Sequence, residues 1–137
     1  AGRVRVTATD FGVQEGGRRF TVASGRSSIM LRNFEAVNLD KETNADVLLL
    51  VTMKVWDAPD SAVLGAAGDS SVGLASVNLP VTADYVRYGI SLKCLRQKGA
   101  DMTGLNLPFM LTTDGATDLA IAEVRLGTDA EVLLPCK

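Results

Sequence analysis

Apolar side chains in this chain recur at every second residue, and that spacing commits most of it to β-strands, whose side chains point alternately to two faces. Val4, Val6 and Ala8 alternate with Arg3, Arg5 and Thr7, Phe20 and Val22 with Arg19 and Thr21, and Ile29 and Leu31 open a segment reaching Leu39. The centre reads Val47, Leu49, Val51, Met53, Val55, while the opposite set starts apolar at Leu48 and Leu50 and ends in Thr52, Lys54 and Trp56. Such a strand is buried on both faces at its start and half exposed at its end.

Residues 85–98 are the best candidate for a helix, since Tyr85, Tyr88, Leu92 and Leu95 fit helical spacing. Strand alternation fits them over more positions, through Val86, Tyr88, Ile90, Leu92 and Cys94. A helix would also carry Gly89 internally, at about 1 kcal/mol relative to Ala. The expectation is a strand. Further strands are expected at 72–79, 105–112, 119–126 and 131–134, with turn residues such as Ser24-Gly25, 40–44, Asp114-Gly115 and 127–129 between them. The fold class is therefore all-β: one domain over residues 1–137, an antiparallel β-sandwich or small barrel of about eight or nine strands. The 137 residues suffice for an ordinary core. Residues 58–73, almost all small and with three glycines, offer little large apolar surface and are expected to form a flexible loop.

The chain has no histidine, which removes Ser-His-Asp and Cys-His catalysis and histidine zinc sites. Ser91 and Lys93 share a strand face without the surroundings that activate a serine, and Cys94 falls in an apolar set. Asp57, Asp60, Asp69, Asp84, Asp101, Asp114, Asp118 and Asp129 fall almost wholly in expected turns, where Asp caps backbone amides. No calcium-loop spacing, phosphate-cradling glycine loop or dinucleotide fingerprint occurs, so neither metal nor cofactor is expected, and the chain reads as non-enzymatic. Cys94 and Cys136 are a candidate disulfide, with two buried thiols as the alternative. No apolar run approaches the length of a membrane span.

Charge is distributed unevenly. Of 14 basic and 16 acidic side chains, residues 1–32 hold six arginines, no lysine and only two acids, leaving 8 basic and 14 acidic groups for the remainder. Arg3, Arg5, Arg18 and Arg19 fall on two strands that can form a hairpin, so they are expected to contact anions or a neighbouring subunit. With aromatics at 5%, nucleic acid is a less favoured partner. Trp56, in the polar set of its strand, is a candidate contact residue.

Over Arg3 to about Leu79 the strand order resembles that of small RNA phage coat proteins, which have an N-terminal hairpin followed by antiparallel strands; 105–134 departs from them, reading as strands where they end in helices. The reading placed first is a structural subunit that self-assembles into, or decorates, a virion, capsid, tail or filament, with copies of itself or other subunits as partners. The alternative is a small extracellular or periplasmic β-sandwich module that binds carbohydrate or protein. A virion or extracellular location suits either.

Overall fold

A computed structural model describes residues 4–6, 18–31 and 37–137. The described elements are β1 (Val4–Val6), β2 (Arg18–Val22), β3 (Arg26–Leu31), α1 (Asp40–Asn44), β4 (Leu48–Asp57), β5 (Ser61–Ala67), β6 (Val72–Val77), β7 (Val86–Ser91), α2 (Leu92–Gln97), β8 (Leu107–Asp114), β9 (Thr117–Gly127) and β10 (Val132–Leu133). They form a six-stranded sheet in the order β1-β2-β9-β4-β7-β10 and a four-stranded sheet in the order β3-β8-β5-β6. The fold is an all-β sandwich, antiparallel throughout except that β10 runs parallel to β7.

The alternation along β4 divides inside from outside. Leu49, Val51, Met53 and Val55 enter the core with Tyr88 and Ile90 of β7 and Leu119 and Ile121 of β9; Leu64 and Ala66 of β5 and Phe109 and Leu111 of β8 meet them from the other sheet. The opposite face of β4 is closed at its start, where Leu50 is buried, and open at its end, where Trp56 and Asp57 are exposed. That gradient is the one the residue pattern requires.

Two expectations are corrected. Residues 85–98 are strand only as far as Ser91, whose side chain accepts a hydrogen bond from the Lys93 amide at 3.1 Å and caps α2. Leu92, Cys94 and Leu95 are buried on that helix, so the apolar positions continue across a change of period. Gly89 lies in β7, before the helix begins. Residues 58–73 are not a loop: they hold β5 and the start of β6, with Ala62, Leu64, Ala66 and Ala67 buried. Small residues are needed here because backbone approaches backbone. A side chain on Gly65 would collide with the Gly73 carbonyl, and one on Gly73 with the Leu95 carbonyl and Ala100, where the end of α2 lies against β6.

Cys94 of α2 is bridged to Cys136, with Cα atoms 5.6 Å apart. The bridge fastens the segment after β10 across the sandwich, where the Ser76 amide donates to the Lys137 carbonyl at 2.9 Å. The cysteines are 42 residues apart in sequence. Loop-closure entropy then implies that Cys94→Ala with Cys136→Ala lowers unfolding free energy by about 4 kcal/mol, as chemical denaturation of the oxidised protein and the variant will measure.

Candidate functional site

The exposed face of the six-stranded sheet gathers side chains that are far apart in sequence. Arg19 of β2 pairs in register with Ala120 of β9, which pairs in turn with Lys54 of β4. The next row joins Thr21, Asp118 and Asp57, and the register shifts between Val55 and Asp57, so Trp56 is the extra residue of a bulge. Bulges re-aim side chains. Here the Arg19 guanidinium carbon lies 3.9 Å from the centroid of the Trp56 ring, and the Lys54 ammonium lies 5.1 Å from it. Cation and indole face attract through the ring quadrupole.

Arg19 is fixed from its other side by Asp118. Its Nε donates to Oδ1 at 2.8 Å and a terminal nitrogen to Oδ2 at 2.6 Å, a two-pronged bond, while the Thr21 hydroxyl donates to Oδ1 at 3.3 Å. The Arg19 hydrogen bond, opposed by burial and helped by the arginine charge and Thr21, holds the Asp118 carboxyl below the usual carboxylate range. The reciprocal bond to Asp118 raises the Arg19 pKa, with partial burial opposing it and the Asp118 and Tyr85 charges adding to it. Trp56 remains 38% exposed and Tyr85, just before β7, 41% exposed. Lys54 makes no ion pair among the described residues.

Farther along the same face, Arg125 donates to Glu123 at 2.8 Å and to Asp129 at 3.0 Å, and Arg87 donates to the Asp129 carbonyl at 2.9 Å. These charges are spent on one another. The aromatic and polar cluster of Arg19, Lys54, Trp56, Tyr85 and Asp118 lies on another part of that face, with Trp56 and Tyr85 exposed.

Of the residues singled out in the sequence, Arg19 and Trp56 come together here. Arg3 lies outside the described residues, as do the side chains of Arg5 and Arg18; in register Arg5 stands opposite Thr21 and Arg18 opposite Ile121. Cys94 and Cys136 sit apart from the cluster, in the disulfide. Lys54, Tyr85 and Asp118 join the cluster without standing out as site residues in the sequence. Among the described residues no three carboxylate or thiol groups converge as metal ligands, and no helix is long and apolar enough to cross a membrane.

Apart from this open face, a groove of about 710 Å³ lies where β6 and β10, the last strands of their sheets, border an opening lined by Tyr88.

The family described as Exop_C, galactose-binding domain-like, matches residues 1–126. Among solved structures, the chain is similar to the extra C-terminal domain of an exo-1,3/1,4-β-glucanase from a Pseudoalteromonas species, at 21% identity and a TM-score of 0.67, over 96% of this chain and 76% of that one. It is similar to a protein called PfGH50B at 13% identity and a TM-score of 0.72, over 96% of this chain but only 22% of that one. A family 30 carbohydrate-binding module of a cellulosomal cellulase from Clostridium thermocellum matches at 14% identity and a TM-score of 0.61, over 92% of this chain and 82% of that one. No curated protein matches.

The lowered pKa of Asp118 fixes the sign of a pH effect. Stabilisation from a carboxylate with a depressed folded-state pKa is fully present above the unfolded value and is lost as pH falls through the folded one. Asp118→Asn is therefore less stable than the parent at pH 7, and the gap closes as pH falls below about 4, as denaturation midpoints of the two proteins across pH will check.

Proposed function

The chain belongs to the galactose-binding domain-like family that matches residues 1–126, and from that membership we propose that it is a non-catalytic carbohydrate-binding domain whose contact surface is the sheet face around Trp56. The observation that carries the reading is the indole held on an open sheet face by an arginine, which is itself locked to a carboxylate. A pyranose ring has a face of C–H groups and a rim of hydroxyls. An exposed indole offers apolar surface to the first, and an arginine-aspartate pair offers donors and acceptors side by side to adjacent hydroxyls of the second. The sandwich supports the cluster from below, so little ordering remains to be done when a sugar arrives.

The glucan class follows from the neighbours' names: an exo-1,3/1,4-β-glucanase and a cellulase both contain domains of this shape. Mixed-linkage or cellulosic β-glucan is accordingly the proposed ligand. The likeness to phage coat proteins has no counterpart among these matches, and they support the carbohydrate-binding alternative over the virion subunit placed first from sequence.

Affinity electrophoresis in gels containing soluble 1,3/1,4-β-glucan tests the proposal. The protein is expected to be retarded, and Trp56→Ala to lose about tenfold or more in affinity with its far-UV circular dichroism unchanged. Equal retardation of Trp56→Ala and Arg19→Ala with the parent places the ligand elsewhere, and no retardation in glucan, xylan or galactan gels rejects the reading.

A further inference from the structure

The groove beside Tyr88 has a chemistry unlike that of the Trp56 face. Its walls come from Val77, Pro80, Val86, Leu133 and Pro135, and its one charged lining residue is Lys137 at the rim. Leu133 is 65% exposed and Val132 42%, so apolar surface stands open to water at the mouth. Tyr88, by contrast, is only 3% exposed. Its hydroxyl has no hydrogen-bond partner among the described residues, and burial raises its pKa, which keeps it a neutral donor. The phenol oxygen is not sealed from solvent, since among the described residues the buried polar atoms without a partner are Ser27 Oγ and Arg87 Nε; it is a donor that water in the groove reaches and a ligand can take over.

We propose that this groove is a second binding site, for a small molecule without positive charge that combines an apolar ring with one oxygen able to accept a hydrogen bond from Tyr88. Apolar walls penalise a buried ion, no carboxylate side chain is among the lining residues to pair with a cation, and the lining side chain that carries charge is the cationic Lys137, so the groove selects against positive charge. The volume, about 710 Å³, lies within the span of small-molecule sites, roughly 300 to 1,000 Å³. A mostly apolar ring suits these walls better than a free saccharide, whose hydroxyls each need a partner; the polar side chains on offer are those of Ser76, Asn78, Thr82, Tyr88 and Lys137. One of them, Thr82, already accepts from the Val55 amide at 3.1 Å. The ligand class is thus distinct from the glycan assigned to the Trp56 face.

Benzyl alcohol is the probe, titrated into ¹⁵N-labelled protein. Amide shifts are expected at Val77, Tyr88 and Leu134. Tyr88→Phe is expected to weaken binding about three- to tenfold, the worth of one net hydrogen bond. Toluene should bind the parent and Tyr88→Phe alike, and the benzylammonium cation should bind neither. Leu133→Asp, at an exposed rim position, should abolish binding while keeping the native spectrum, and so covers the case in which Tyr88→Phe does not fold. The single tryptophan, Trp56, reports on the other face, and its fluorescence should not respond. Shifts absent from the groove, equal affinity in folded Tyr88→Phe, or unchanged affinity in Leu133→Asp overturns the proposal. So does movement of the same amides with protein concentration alone, which would make the groove a contact between copies of the chain.

Discussion

The pairing of β4 with β9 on one side and β7 on the other is the constraint from which the rest of the structure follows. A strand hydrogen-bonded along both edges cannot shift by one residue without turning its whole apolar set to the opposite face. With that register fixed, Leu49, Val51, Met53 and Val55 are committed to the core, and Lys54 and Trp56 to the outside. The Val55/Asp57 bulge then releases Trp56 from strict alternation at the place where β9 presents Asp118 and β2 presents Arg19. The candidate site is a by-product of register, which explains how it assembles from three strands that are distant in sequence.

Much of this was legible in the residues, and the failures have physical causes. Period-2 alternation marks β4 and β9 because both lie inside a sheet with one face against the core. It misleads at β7 and α2, where Leu92 and Cys94 keep the strand rhythm for two more steps; the Ser91 cap is the local signal that the period changes there. The small residues of 58–73 look like a loop because composition reports surface available for burial, and cannot show that Gly65 and Gly73 are small so that neighbouring backbones fit.

The site divides in the same way. Trp56 and Arg19 stand out by residue type and by position on a polar face. Asp118 reads as a turn residue because Asp-rich turns are common, and its role depends on a partner 99 positions away. Cross-strand partnership over that distance leaves no trace in local spacing. The assembly reading rests on strand edges and uneven charge; of the four arginines it singles out, Arg19 pairs within the chain with Asp118, and β10 lies parallel to β7 along one edge of the larger sheet.

The central claim is that sugar meets protein on the open face of the six-stranded sheet. Mapping amide shifts of the ¹⁵N-labelled chain during titration with a 1,3/1,4-β-gluco-oligosaccharide tests it most directly. The account predicts saturable shifts concentrated at Arg19, Lys54, Trp56, Tyr85 and Asp118, with the four-stranded sheet silent. Saturable shifts confined to the four-stranded sheet or to the Tyr88 groove would contradict it.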